Sequence, residues 1–339
     1  MSNQITKFIG IQKTGIIFSW LLCLLFSAVA NSELQLASVP FSTYVSQNDG
    51  IGRLNDLIKE ALKRSQIEAN LSVMRPAFLG SGLSNESLDG DFAFLTLDRK
   101  KDNFVYSAPY LPLYLVAVSK RPFVKDIRTL AHLQDGRIAI ENRFVNTDQL
   151  RLEKAIKWSR NPDTFDAFKQ LADGRSTLLI TSSLLLNEFN LLLSEHGETP
   201  LFSSPTPLLT AHFTVAIRES IAGAKDILNK FNKAIVQMQR DGTYNRLLQI
   251  TWLLKDTDND GHAEYISSAD LLSDNSLAPQ RNDAYALDNT PPAASPSYII
   301  DGNKVSSWED VMALLPARPR EERKSLLDET IYSRMMRQW

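Results

Sequence analysis

The sequence predicts an α/β fold built on largely parallel sheets over residues 33–252, and three observations support this. Short apolar runs alternate with segments of helical periodicity, which is the pattern of consecutive strand and helix units. One apolar run, residues 113–118, does not alternate with polar residues, as expected for a strand buried on both faces. Turn signals such as Asp89-Gly90 separate these segments.

The predicted elements follow one another without an internal repeat. Strands are predicted at residues 34–39, 91–97, 113–118, 138–141 and 178–181. Helices are predicted at residues 53–64, 147–158, 164–172, 221–239 and 243–254. The first helix carries its apolar side chains on one face, and Asp241-Gly242 is a stop signal between the last two helices.

The first thirty residues are typical of a secretory signal peptide. Lys7 and Lys13 precede a short apolar run, and Ala28-Val29-Ala30 has the small-x-small pattern of a cleavage site. The run is too short to cross a bilayer, so we expect cleavage and a periplasmic location, with an uncleaved anchor as the alternative. Cys23, the one cysteine, lies in this run, which excludes disulfides and thiol catalysis from the rest of the chain.

The charge balance is mildly acidic. The chain has 37 basic and 39 acidic residues and a formal net charge of −2. Without a long basic run there is no electrostatic reason to bind nucleic acid or an anionic membrane surface.

The composition changes after residue 254. Residues 255–297 are rich in Asp, Asn, Ser, Ala and Pro, which predicts a linker because such a segment buries little apolar area. Residues 298–339 predict a small α/β tail with a strand, an Asp301-Gly302-Asn303 turn and helices at 307–315 and about 320–337. We expect this tail to dock on the main body or on a partner, since it is too small for a core of its own.

Residues 88–120 place a basic residue just past a predicted buried strand, where open α/β sheets hold anionic ligands. The stretch contains a "TxxR … (F/Y)S-x-PY" pattern, formed by Thr96, Arg99, Tyr106, Ser107, Pro109 and Tyr110. Together with residues 52–64, 130–142 and 231–252, it resembles the periplasmic solute-binding proteins of family 3, which bind amino acids and similar solutes. The resemblance covers about two thirds of the chain.

The resemblance implies a two-lobed, type II periplasmic binding protein fold with a ligand cleft between the lobes. Two crossover strands, at residues 116–120 and 208–217, would join lobe one (33–118 and 212–252) to lobe two (119–211).

The resemblance also implies ligand contacts. Arg99 is the first candidate, because its planar fork of donors matches a carboxylate. The spacing from Arg99 to Tyr106 is one residue longer than in the family, which leaves Lys100 as an alternative ligand. The other interpretation is that Arg99 is a solvated residue of a charge run. Thr96 would donate a hydroxyl to the same carboxylate.

Further candidates come from both lobes. The aromatic residues Phe41, Tyr44 and Tyr110 stand where the family encloses its ligand, or else pack in the core. Asn146 and Thr147 precede a predicted helix, where backbone amides favour an anion, or form a plain N-cap.

The second lobe departs from the family pattern. Amino-acid-binding members commonly have acids in a "GxxDA" motif and after the next strand, which receive the ligand's ammonium group. Here the first segment reads Gly174-Arg-Ser-Thr177, and hydroxyls follow the strand at Thr181, Ser182 and Ser183. A buried ammonium needs a charged or multiply hydrogen-bonded partner, so a carboxylate, a neutral polar solute or no small ligand is favoured over a free α-amino acid.

Residues 256–264 fit the D-x-D-x-D-G pattern of calcium loops. The ligands would be Asp256, Asp258, Asp260 and Glu264, with Gly261 at the sharp turn. Position twelve is serine rather than the glutamate of an EF-hand. An acidic linker that resembles the motif by chance is the alternative.

The sequence does not indicate an enzyme. Its four histidines have no metal-ligand spacing, and it contains no G-x-S-x-G elbow. Two functions are predicted: a secreted protein that closes on a small polar solute for a membrane transporter, or a binding-protein-like sensory or interaction module acting through a protein partner.

Overall fold

A ten-stranded mixed sheet and a smaller five-stranded sheet organise the described part of the chain. The computed structural model describes residues 33–47, 52–133, 136–315, 323–337 and 339, so the predicted signal peptide lies outside it. The strands are β1 (Leu34–Ser38), β2 (Ala69–Val73), β3 (Gly90–Leu95), β4 (Phe104–Tyr106), β5 (Leu111–Ser119), β6 (Arg137–Glu141), β7 (Lys157–Asn161), β8 (Leu178–Ser182), β9 (Phe202–Ser203), β10 (Leu209–Arg218), β11 (Leu253–Lys255), β12 (Glu264–Ser267), β13 (Tyr285–Ala286), β14 (Tyr298–Ile300) and β15 (Asn303–Val305).

The α-helices flank these sheets, and their numbers count those in the described residues. They are α1 (Arg53–Arg64), α2 (Pro76–Ser84), α3 (Asn142–Val145), α4 (Asp148–Arg151), α5 (Thr164–Ala172), α6 (Ser183–Glu195), α7 (Ala224–Arg240), α8 (Thr243–Leu248), α9 (Trp308–Leu314) and α10 (Glu329–Met336). None of the helices within the described ranges has the length and apolar character needed to cross a lipid bilayer.

The large sheet joins two groups of parallel strands through two long strands, β10 and β5. Its order is β2-β1-β3-β10-β5-β8-β6-β7. β1 is parallel to β2 and β3, and β6 is parallel to β7 and β8. β5 pairs with β10 over residues 111–115 and with β8 over residues 115–118, both antiparallel. We call β1–β3 and β10 with α1, α7 and α8 lobe one, and β6–β8 with α5 and α6 lobe two.

The α/β prediction is therefore confirmed, and most elements begin within a few residues of their predicted positions. The pairing is mixed rather than largely parallel, because β5 and β10 run antiparallel to each strand with which they pair. α1 and α5 have the predicted bounds, since their apolar periodicity is strong and Asp163 caps α5 by accepting a hydrogen bond from Asp166 N. The helix predicted at 147–158 is instead the short α4 followed by β7, and the helix predicted at 243–254 ends at Leu248. In the second case Gln249 adopts φ 54°, a left-handed conformation that ends a helix.

Helix α6 is not among the predicted elements. Its apolar face is broad, and Leu184, Leu185, Leu186, Phe189 and Leu192 are all buried. The polar stripe of Asn187, Asn190 and Ser194 is narrow, so the helical periodicity is weak in the sequence.

The predicted linker at residues 255–297 contributes strands to the second sheet, and residues 34–339 form one compact unit. The sheet has the order β13-β11-β12-β14-β15. Its face is covered by an aromatic cluster of Trp252, Tyr265, Tyr298 and Trp308, with ring centroids 5.8–6.3 Å apart. Composition misled the prediction because backbone pairing with flanking apolar segments orders the polar residues.

Asn245 joins this second sheet to lobe one. Its side chain is fully buried in α8 and donates to Ile250 O at 3.1 Å and to Ile266 O on β12 at 2.9 Å. We expect Asn245→Ala to lower the free energy of unfolding by about 2 kcal/mol, because it leaves buried carbonyls unpaired. Urea unfolding measures this, with the exposed Asn70→Ala as control. Equal stability of the two variants would contradict the anchoring role.

Candidate functional site

The site lies where lobe one and lobe two face each other. Lobe one contributes the loop at residues 39–47, which follows β1. Lobe two contributes the N-terminus of α6. The loop is held by a bridge between Phe41 and Val45, with Phe41 N donating to Val45 O at 2.9 Å. The first amides of α1 donate to it as well: Leu54 N reaches Tyr44 O at 2.8 Å. These donors are therefore used by the chain itself rather than free for an anion.

An aromatic cluster fills the space between the lobes. Phe41 stacks on Tyr44 with ring centroids 4.6 Å apart, and Tyr44 lies 5.3 Å from Phe213 on β10. Phe144, from α3 after β6, contacts Phe41 edge-on at 5.9 Å. All four rings are buried. Aromatic pairs of this kind contribute about 0.5–1.5 kcal/mol each beyond the area they bury, so the cluster favours the closed arrangement.

A hydrogen bond between hydroxyls crosses the interface beside this cluster. Tyr44 Oη and Ser182 Oγ are 2.9 Å apart, and Ser182 Oγ also accepts from Leu185 N as the N-cap of α6. Burial raises the pKa of Tyr44 well above its usual value, so its hydroxyl stays protonated and neutral.

Thr181 is the unusual polar group here. Its side chain is 2% exposed, and its hydroxyl has no hydrogen-bond partner among the described residues. Buried polar groups are normally hydrogen-bonded, so an unpaired hydroxyl at the end of β8 could be satisfied by a polar solute or a water molecule.

Arg143 of lobe two also reaches across to lobe one. Its guanidinium lies 3.9 Å from the centroid of the Phe41 ring and donates to Pro40 O at 2.5 Å. It is also 3.8 Å from the Glu141 carboxylate in its own lobe. A cation over an aromatic face is attractive, so this contact adds to closure.

A buried carboxylate is the strongest contact between the lobes. Glu188 on α6 is 0% exposed and forms an ion pair with Arg53, whose side chain is 1% exposed at the start of α1. Arg53 also donates to Leu248 O at 2.7 Å and to Thr43 Oγ1 at 3.2 Å. The lobe-one guanidinium is thus fixed in place before it meets the carboxylate of lobe two.

The C-terminal tail completes the pairing of this carboxylate. Arg323 donates to Glu188 with both terminal nitrogens, at 2.9 and 2.8 Å, and Leu326 N donates at 2.8 Å. Burial alone would raise the pKa of Glu188, but Arg53 and Arg323 outweigh burial and lower it. Glu188 is therefore ionised, and its four acceptor sites are used. We call Arg53, Glu188 and Arg323 the Glu188 triad.

The other predicted ligand residues use their side-chain polar atoms within their own lobes or lie exposed. Thr96 Oγ1 accepts from His212 N at 2.9 Å, and Tyr110 donates to Phe92 O at 2.9 Å in the core. Arg99 is exposed in the segment after β3. Asn146 is exposed and accepts from Arg160, while Thr147 donates to Phe144 O at 2.6 Å rather than capping α4. Of the predicted residues, Phe41 and Tyr44 stack on each other, and Tyr44 contacts Ser182, the residue that follows Thr181.

Sequence reasoning missed the members of the Glu188 triad. One signal was present, since Glu188 is the lone charged residue in the apolar run of residues 184–193. Such a charge is rarely buried without partners. Arg53 precedes Glu188 by 135 positions and Arg323 follows it by 135, so no local sequence pattern connects the three residues.

A groove of about 940 Å³ opens beside the exposed face of α6. It is lined by Asn187, Asn190, Leu191, Ser194, Glu195, Thr251, Asn275 and Arg323. It is therefore distinct from the aromatic cluster.

In the predicted calcium loop three carboxylates converge. One oxygen each of Asp256, Asp258 and Asp260 lie within 4.8 Å of one another. The fourth predicted ligand, Glu264, is buried and accepts from Lys304 Nζ at 2.7 Å. Lys304 Nζ also donates to Asp258 at 2.7 Å. These acids raise the pKa of Lys304, so its ammonium provides a positive charge beside the loop. Calcium binding stays a prediction.

Comparisons with solved structures agree with this two-lobed architecture. The ligand-binding core of GluR0 from Nostoc punctiforme, in complex with L-glutamate, has a TM-score of 0.50 and 18% identity, covering 63% of this chain and 96% of that chain. The VFT2 domain of Bordetella pertussis BvgS, a double mutant, has a TM-score of 0.51 and 14% identity, covering 68% and 95%.

A further ligand-binding core of GluR0 with L-glutamate has a TM-score of 0.52 and 9% identity, covering 64% and 96%. No family model matches the chain, and no curated protein matches it. The chain thus has the type II periplasmic binding protein fold, and about a third of it lies outside each likeness.

Removing the buried charge of Glu188 tests whether the Glu188 triad stabilises the fold. We expect Glu188→Gln to lower the free energy of unfolding by about 3–5 kcal/mol, because it leaves Arg53 buried without a counter-ion. Glu60→Gln, which removes a partly exposed pair with Arg64, should cost less than about 1 kcal/mol. Urea unfolding compares them. Similar losses in both variants would refute a special role for Glu188.

Lys304 should compete with calcium for Asp258 and Glu264. Removing the ammonium by Lys304→Met should tighten calcium binding about tenfold, which corresponds to about 1.4 kcal/mol. Isothermal titration calorimetry with calcium measures this, and the exposed Lys324→Met loses the same charge elsewhere. If the Lys304→Met and Lys324→Met variants bind calcium with the same affinity, Lys304 does not compete with calcium for Asp258 and Glu264, and the prediction is wrong.

Proposed function

We propose that the chain is a solute-binding protein of the periplasm that takes a small polar solute between its two lobes. The observation that carries this proposal is the unpaired, buried hydroxyl of Thr181 beside the Tyr44–Ser182 hydrogen bond. Hydroxyls at this place on lobe two offer donors and acceptors but no negative charge. The solute would therefore be neutral and polar, or carry a carboxylate, rather than depend on a free ammonium group.

Binding would require the lobes to separate and close again. β5 and β10 connect the lobes and would act as the hinge. The rings of Phe41 and Tyr44 would move aside with lobe one, which opens the space beside Thr181. Delivery of the solute to a membrane transporter is the corresponding proposal for the partner.

A second function, a sensory or interaction module acting through a protein partner, is favoured by a different observation. The interlobe space is filled by Phe41, Tyr44, Phe144 and Phe213, and the region after residue 252 packs on both lobes. A module of this kind would need no small solute. The retained hydroxyls of the interface favour the first function.

A thermal-shift screen with Thr181→Val as the test variant separates these functions. A bound solute raises stability by about 2.7 kcal/mol at a hundredfold excess over Kd. We expect such a shift with carboxylates or neutral polar solutes, and its loss in Thr181→Val. Without solute this variant should be as stable as the original protein or more so, because valine removes an unpaired buried hydroxyl.

The matched control is Thr164→Val, whose hydroxyl already has a partner, Glu141, within lobe two. Arg99→Ala tests the predicted carboxylate clamp in the same assay. If amino acids, carboxylates and neutral solutes all fail to shift the unfolding temperature, the solute-binding proposal is wrong. The second function, a sensory or interaction module, is then favoured.

A further inference from the structure

The region that follows lobe one crosses from one lobe to the other. Its first part, the five-stranded sheet, is attached to lobe one and to the strand that joins the lobes. Tyr285 donates to Pro112 O at 2.6 Å, and Tyr114 donates to Ala286 O at 2.7 Å. Both Pro112 and Tyr114 lie in β5, in the half that pairs with β10.

Its last part is attached to lobe two. Tyr332 of α10 lies 5.3 Å from Phe165 and 5.9 Å from Phe189, measured between ring centroids. Met335 and Met336 are buried beside it. Ser325 adds a hydrogen bond to Glu188 O at 2.8 Å. We call residues 323–339 the strap.

Two contacts of the strap fall on parts of the molecule that govern closure. The first is Glu188, because Arg323 and Leu326 use three hydrogen bonds to hold the carboxylate that Arg53 of lobe one contacts. The second is Lys120, the residue directly after β5. Its ammonium lies 4.0 Å from the ring centroid of Trp339 and donates to Trp339 O at 3.1 Å.

We propose that docking of the strap on lobe two and closure of the lobes are coupled, with the strap holding the closed arrangement in the absence of solute. Arg323 is a positioning residue: it fixes the Glu188 side chain so that one oxygen faces Arg53. Without Arg323 the Glu188 carboxylate loses its fixed orientation, and closure of the lobes then has to restrict the side chain of Glu188 as well. The inference needs the two-lobed fold but no particular solute.

Reciprocity gives the coupling a second consequence. If the docked strap favours closure, closure must favour the docked strap by the same factor. Simple competition of two guanidiniums for one carboxylate predicts the opposite sign, because loss of Arg53 would then strengthen the hold of Arg323. The sign therefore distinguishes coupling from competition.

Distances between spin labels on the two lobes test the first consequence. The full chain with Cys23→Ser is free of cysteine, so Lys63→Cys on α1 and Lys169→Cys on α5 provide exposed label sites. Without any solute, Arg323→Gln and Trp339→Ala should each give a longer and broader distance distribution. The control Arg334→Gln, an exposed arginine of α10, should not. Distributions in Arg323→Gln and Trp339→Ala that match this control would overturn the proposal.

Hydrogen exchange of the strap tests the second consequence. Arg53→Met should open the lobes and raise the exchange rate of the amides in α10, although Arg53 lies on lobe one. Arg64→Met, on the same helix but paired with Asp241, is the control. Unchanged or slower exchange in Arg53→Met would overturn the coupling. Both measurements are made without solute, so a negative solute screen leaves them interpretable.

Discussion

The pairing of one buried carboxylate constrains the rest of this structure. Glu188 is surrounded by the apolar residues of α6, and a lone ion there would cost several kcal/mol. Its neutralisation requires Arg53 from lobe one and Arg323 from the strap to reach the same place. The relative position of the lobes and the course of the strap therefore depend on a single side chain. A Glu188 without these partners would favour an open or differently packed molecule.

The interlobe space shows how a binding-protein fold can be closed by its own side chains. Aromatic rings of Phe41, Tyr44 and Phe144 occupy the space. Beside them the Ser182 hydroxyl of lobe two contacts Tyr44. This combination is consistent with a neutral or acidic solute that displaces the rings on opening. The unpaired hydroxyl of Thr181 separates the two functions, because only a solute-binding protein needs it to contact a small molecule.

The acidic loop at residues 256–264 illustrates how context changes the meaning of a motif. Three carboxylates converge as the D-x-D-x-D-G pattern predicts. The ammonium of Lys304 nevertheless lies between Asp258 and Glu264 and supplies a positive charge from within the chain. The motif alone predicts a cation near these acids, and the fold offers a lysine from β15 that is forty residues or more away in sequence.

The sequence by itself determined the α/β class, the positions of amphipathic elements such as α1 and α5, and the hydroxyl character of the end of β8. These properties are local: they depend on periodicity, capping and the identity of adjacent residues. Tertiary structure alone decided that residues 255–297 form a sheet, that α6 is a buried helix, and that Glu188 meets Arg53 and Arg323. Such outcomes depend on partners that are not adjacent in sequence, 135 residues apart for both ion pairs of Glu188. Their approach is fixed by packing and by the cost of leaving a buried charge unpaired. For this reason Tyr44 and Thr181 could be proposed from sequence, whereas the ion pairs that close the lobes could not.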